Sequence, residues 1–292
     1  MAGESPPVRR HPPLGPASGS APWLYRFLIS GVLRFLARWI FAIHVELRSA
    51  ENLPRDAFGR RVGGWIAAPV PHVSWADPLM VVLALPVEPR LSYLGVASAI
   101  FQTRFRRMLF RLIGGVVPIW PGGGPAAFNA HIAAAHDVLS AGSVFVIYPE
   151  SARYHPPPDQ PRTIEPGFGY LALRTDALIV PLILGGTPEL YRGRRLVVDV
   201  QPARSASELA GLPAGTRPLP GSREEREAAH RIANAFNELT FPLVVAQFRE
   251  DEARQAHDRR TWPWLTHWLD TEEDTAAHRW PRPGEPTAPP GR

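Results

Sequence analysis

The chain has 292 residues, 45% hydrophobic and 10% aromatic, which is enough for a large α/β core and incompatible with a collagen-like or wholly disordered polymer. It has no cysteine, so disulfide scaffolds, thiolate metal sites and cysteine nucleophiles are excluded. All 32 residues counted as Lys+Arg are arginine, which removes Schiff-base and P-loop lysines, and the net charge of +5 suits an anionic surface or substrate.

Residues 1–21 are rich in Pro, Gly and Ser without an apolar period and read as a disordered tail. They lack the apolar stretch and cleavage site of a signal peptide. Residues 22–44 change character to a run of large apolar side chains, with Pro22 suited to a first helical position. On a helix Arg26, Ser30, Arg34 and Arg38 form a narrow polar stripe, while Trp23, Phe27, Leu33, Phe35 and Trp39 cover the rest. Three arginines cost about 2.5–3.5 kcal/mol each at a bilayer centre, which cancels the apolar gain of a span. Lying in the interface, with Arg26, Arg34 and Arg38 at lipid phosphates and Trp23 and Trp39 at headgroup depth, keeps that gain. A surface helix or helical hairpin is therefore expected, with a core helix and a true span as the competing readings.

From His44 the period switches. His44–Arg48 alternates as a strand, Glu51-Asn52-Leu53-Pro54 is a turn, and Trp65–Pro69 is a short buried strand. Helices are expected at Pro78–Leu85, Phe101–Leu112 (basic), Ala126–Leu139, Phe168–Arg174 and Arg223–Gln247. Strands are expected at Leu91–Val96, Val116–Trp120, Val144–Tyr148, Leu178–Leu184 and Leu196–Val200. This alternation predicts an α/β domain with a single, mostly parallel, covered sheet over residues 45–248. Residues 249–292 form a charged segment with Trp262, Trp264 and Trp268 and a Pro-rich end, read as a packing anchor or a second membrane contact.

Two motifs could carry chemistry. Pro71-His72-Val73-Ser74-Trp75-Ala76-Asp77-Pro78 follows a buried strand, at the sheet edge where ligands bind in open α/β folds. Positions five apart do not share a helix face, so a His72–Asp77 contact needs His72 in the loop and Asp77 at the helix start. Tyr148-Pro149-Glu150-Ser151-Ala152-Arg153 follows a second strand at the same edge. Taken singly, Asp77 reads as an N-cap and Glu150/Arg153 as a solvated turn.

In this order and spacing the two motifs resemble the glycerolipid acyltransferase family that includes lysophosphatidic acid acyltransferase. His72 and Asp77 match its His-x-x-x-x-Asp block, with Ser74 at the usual serine position and Pro71 in place of Asn. Tyr148 to Arg153 is similar to its Phe-Pro-Glu-Gly-Thr-Arg block, keeping Pro149, Glu150 and Arg153. Ile179-Val180-Pro181-Leu182 and Glu51-Asn52-Leu53-Pro54 match the flanking blocks. The second block's phosphate-holding arginine is missing from Gly115–Pro121, and Ser151-Ala152 replaces Gly-Thr, so the catalytic block is kept and acceptor recognition altered.

The resemblance implies a peripheral, monotopic O-acyltransferase at the cytoplasmic face of the cell membrane. It would transfer a fatty acyl group from an acyl-CoA or acyl-carrier-protein thioester to a lysolipid hydroxyl, foremost 1-acyl-glycerol-3-phosphate, without cofactor or metal. His72 would be the base and Asp77 its partner, with Glu150, Arg153 and Ser74 binding the acceptor. A non-phosphate lipid acceptor (glycolipid, amino-lipid or terpenoid hydroxyl) and a catalytically silent lipid-binding scaffold are the alternatives. Ser74 is not expected to be a nucleophile, since no G-x-S-x-G elbow occurs.

Two other signals point elsewhere. Gly122-Gly123-Gly124-Pro125-Ala126-Ala127 formally fits a dinucleotide fingerprint, but Pro125 removes an amide from the helix start that would face the pyrophosphate. Arg104, Arg106, Arg107 and Arg111 form a basic run, either solvated or facing lipid phosphates or an acidic acyl carrier. No nucleic-acid-binding module is present.

Overall fold

A computed structural model of the chain describes residues 27–74, 76–96, 115–119, 124–150, 163–187 and 189–262. The expected helix Phe101–Leu112, the residues Trp23, Arg26, Arg153, Trp264 and Trp268, and most of the glycine run lie outside them.

Among the described residues seven strands form one sheet: β1 (His44–Arg48), β2 (Ile66–Val70), β3 (Leu91–Val96), β4 (Gly115–Ile119), β5 (Val144–Val146), β6 (Ile179–Gly185) and β7 (Arg195–Val200). Their order is β1-β7-β6-β2-β5-β3-β4. Every neighbouring pair is parallel except β6 and β7. The central strands β2 and β6 are buried along their whole length, which accounts for their continuous apolar runs. The mostly parallel α/β sheet expected from the alternation is what the chain forms.

The helices are α1 (Ala76–Ala84), α2 (Gly124–Ser140), α3 (Pro166–Thr175), α4 (Ala206–Ala210) and α5 (Arg223–Gln255). Two cores flank the sheet. One joins α1 to Ala67, Val146 and Val180, and the other joins α2, α3, α4 and α5 to Ile66, Ala68, Phe145 and Ile183. Adjacent residues of a strand face opposite sides, so Ile66 and Ala67 divide between the two cores. Helix α5 continues to Gln255, beyond the boundary expected at residue 248.

Adjacent strands β2 and β5 therefore send their chains to opposite layers, β2 to α1 and β5 to α3. That divergence, at the carboxyl edge of the sheet, marks the position at which open α/β folds form their ligand crevice. The asparagine of the lead-in turn fixes the far strands: Asn52 Nδ2 donates to the Val200 carbonyl at 2.8 Å.

The N-terminal segment is a continuous helical run, with wide π-type turns at Phe27–Leu33 and Leu36–Ile40. Ile29, Leu33 and Phe41 pack into the α1 core. Phe27, Phe35, Trp39 and Ile40 are exposed, Trp39 by 66%. Among the described residues no helix is long and apolar enough to cross a membrane.

Candidate active site

The loop after β2 and the start of α1 bring His72 and Asp77 together. His72 Nδ1 lies 2.8 Å from Asp77 Oδ2. The backbone N–H groups of Val73 and Ser74 donate to that same oxygen at 2.7 and 2.9 Å. Asp77 is thus the second residue of α1, with its carboxylate turned back into the loop that carries His72, and it is fully buried. The geometry expected of a His-x-x-x-x-Asp pair, with the histidine in the loop and the aspartate at the helix start, is present.

Glu150 arrives from the end of β5. Its Oε2 accepts a hydrogen bond from the His72 backbone N–H at 3.0 Å, and the side chain is only 6% exposed. The turn carrying it is held by Glu165, whose N–H donates to the Pro149 carbonyl at 3.0 Å. Glu150 thus ties the two strand ends together through the backbone of His72 itself.

Ser74 was expected at the acceptor. It is buried, and its hydroxyl accepts from the Ala76 N–H at 3.1 Å. The Asp77 N–H also donates to the Ser74 carbonyl at 3.1 Å. Its hydroxyl shapes the first turn of α1, because a helix start needs side-chain or carbonyl partners for its loose N–H groups.

Tyr148 reads in the sequence as a strand end that opens the second motif. Its ring stacks on the His72 imidazole, with centroids 4.0 Å apart and an interplanar angle of 26°. Strand β5 ends at Val146, two residues short of the expected end, which frees Tyr148 to turn toward the neighbouring strand end. The signal was its place beside Glu150 in the second motif. Burial pushes the Tyr148 hydroxyl well above its usual pKa, and the Asp77 charge adds to this. Tyr148 is therefore a neutral wall to the imidazole.

With Asp77 on Nδ1, the His72 Nε2 is left as the proton-accepting nitrogen. The imidazole is partly exposed, at 17% of its side chain, whereas Asp77 is inaccessible. An imidazole oriented by a buried carboxylate, with its other ring nitrogen accessible, has the arrangement that general-base chemistry needs. Among the described residues no cluster could hold a metal ion.

Of the residues expected at a membrane, Arg38 and Trp39 are exposed. Arg34 instead turns inward, and its Nη2 donates to the Leu85 carbonyl just past α1 at 2.7 Å. The polar stripe is thus divided, because that carbonyl is a better partner for a half-buried guanidinium than solvent.

Residues 44–185 match the protein-family model described as Acyltransferase. Among solved structures, the chain is similar to the crystal structure of the 1-acyl-sn-glycerophosphate (LPA) acyltransferase, PlsC, from Thermotoga maritima. The two are 16% identical with a TM-score of 0.46, over 74% of this chain and 81% of that one. No curated protein gives a significant match.

Proposed function

We propose that this chain, which through residues 44–185 belongs to the acyltransferase family and is an acyltransferase enzyme, transfers a fatty acyl group from a thioester to the hydroxyl of a lysophospholipid at a membrane surface. The acceptor of this reading is 1-acyl-glycerol-3-phosphate, and the donor is acyl-CoA or acyl carrier protein. The observation that carries it is the His72 Nδ1 to Asp77 Oδ2 contact at the crevice edge. The exposed apolar face of the N-terminal helix supports the membrane surface.

In this mechanism His72 Nε2 takes the proton of the acceptor hydroxyl as its oxygen attacks the thioester carbonyl carbon. The tetrahedral intermediate collapses by breaking the C–S bond, and the departing thiolate takes the proton back from Nε2. Asp77 holds the tautomer and offsets the transient imidazolium charge. The thioester is already activated, so no acyl-enzyme is needed. His72→Ala should lower transfer at least ~10²-fold in a protein with unchanged fold. Asp77→Asn should fall comparably, since the neutral amide offsets no charge. Full activity in folded His72→Ala protein overturns the mechanism.

The acceptor is tested separately by offering equal lysophosphatidic acid and monoacylglycerol to wild type and Arg153→Ala. Preference for the phosphate form, reduced by roughly one to two decades in the variant, is expected from the loss of a charge-assisted hydrogen bond. Indifference of the wild type to the phosphate would assign a non-phosphate lipid alcohol instead.

A further inference from the structure

The connection between β6 and β7 carries features that the transfer reaction does not use. It reverses the chain at the carboxyl edge of β2 and β5, so the start of β7 lies at the same edge as His72. The Arg192 N–H donates to the Thr261 carbonyl at 2.7 Å, and the Arg192 guanidinium lies 5.1 Å from the centroid of the Trp262 ring. Trp262 has φ of 58°, a left-handed conformation that bulky side chains rarely adopt, and the residue is 43% exposed.

This pair adjoins the N-terminal helix. The Gly193 N–H donates to the Phe41 carbonyl at 3.1 Å, at the end of the helix that exposes Phe27, Phe35, Trp39 and Ile40. Nearby acidic groups are engaged elsewhere, Glu189 with Arg260 at 2.9 Å and Asp258 with the Tyr191 hydroxyl. Arg192 is itself exposed. A tryptophan with an arginine against its face is amphipathic in the way the headgroup region requires, the ring entering the acyl boundary and the guanidinium meeting phosphate.

We infer that Arg192 and Trp262 form a second membrane contact, continuous with the N-terminal helix, that engages the headgroups of an anionic lipid surface. The inference rests on the membrane reading of that helix. With two contacts, one before β1 and one where the β6–β7 connection meets the segment after α5, the carboxyl edge of the sheet is held toward the bilayer that supplies the acceptor.

Full-length wild type, Arg192→Gln, Trp262→Ala and Trp39→Ser are compared for co-sedimentation with phosphatidylcholine vesicles and with mixed phosphatidylcholine–phosphatidylglycerol vesicles. Arg192→Gln should weaken binding about fivefold on the anionic vesicles and little on the neutral ones. Trp262→Ala should weaken both, and brominated lipid should quench its remaining fluorescence less than that of wild type. If Trp262→Ala fails to fold, Arg192→Gln decides alone, because its side chain is exposed.

Loss on vesicles in Trp39→Ser with wild-type binding in Arg192→Gln and Trp262→Ala overturns this inference and leaves the helix reading standing. Wild-type binding in all three variants overturns both. Reduced transfer from an acyl-carrier-protein thioester by Arg192→Gln, with unchanged vesicle binding, would assign the pair to a protein carrier and overturn the lipid contact.

Discussion

One carboxylate oxygen organises the His72 loop. Asp77 Oδ2 receives His72 Nδ1 and the N–H groups of Val73 and Ser74, so the loop closes on the same atom that orients the imidazole. Glu150 then holds that loop from the neighbouring strand. Its contact with the His72 backbone makes a positioning role testable against a role in binding acceptor. Glu150→Ala leaves a half-buried N–H without its partner, at a cost of about 1–3 kcal/mol. Transfer should fall roughly 10- to 100-fold in kcat with little change in acceptor KM, and Glu150→Gln, which keeps an acceptor oxygen, should recover most of it. A rise in KM at constant kcat would instead place Glu150 on the acceptor. At this scale the His72–Asp77 contact was legible only through the resemblance of two motifs in order, since taken singly Asp77 reads as an N-cap and the spacing merely requires His72 in the loop and Asp77 at the helix start for the two to meet. The Glu150 contact and the Tyr148 stack were not legible, since they depend on β2 and β5 being neighbours though far apart in the chain.

The elements behind the crevice are fixed by close helix packing. Gly169 of α3 faces the backbone of Ala229 of α5, whose carbonyl oxygen would lie 2.3 Å from an added Cβ. Next to this contact, Arg174 of α3 makes a two-pronged pair with Glu225 of α5 at 2.7 and 2.9 Å, and the Gly221 N–H also donates to Glu225. The arginine holds the Glu225 carboxyl below its ordinary range, with the Gly221 N–H adding to this. A carboxyl with a depressed folded-state pKa contributes stability above its unfolded value near 4.3, and that contribution is lost as pH falls through the folded value. Glu225→Ala should therefore lower unfolding free energy by about 2–4 kcal/mol at pH 7 and by less at pH 3, measured by denaturant titration at both. An equal loss at the two pH values would show that the charge pair contributes nothing. Element positions were legible wherever an apolar period ran unbroken: His44–Arg48 and Leu91–Val96 have the expected bounds. The five-residue α4 was not legible, since Ala206–Ala210 is too short to show a period and is set by the Ser205 hydroxyl, which accepts from the Glu208 N–H at 3.1 Å.

For the whole molecule, the reversal between β6 and β7 matters most. Only residues 186–194 separate the two strands, too few for a parallel crossover, which takes a dozen or more. The turn is therefore antiparallel, and β1, parallel to β7, begins at the edge where β2 and β5 end. The end of the N-terminal helix is delivered to the sheet edge that carries His72 by topology that no local period reveals. The helix itself has two unlike faces: Ile29 and Leu33 are part of the core, whereas Phe35 and Trp39 face outward with ring centroids 6.5 Å apart. Truncation before β1 would remove core side chains together with the exposed face, so substitution of that face is the cleaner test of membrane association. Burial of one large apolar side chain is worth about 1.5–3 kcal/mol when complete. The double variant Phe35→Ser/Trp39→Ser should accordingly lose about two decades in vesicle partitioning, while its thermal midpoint and its transfer to a dispersed short-chain acceptor stay near wild type. High salt should weaken wild-type binding only partly, because the apolar component is not screened. Wild-type partitioning in the folded double variant would move the anchor away from this helix and leave the exposed face without its assigned role.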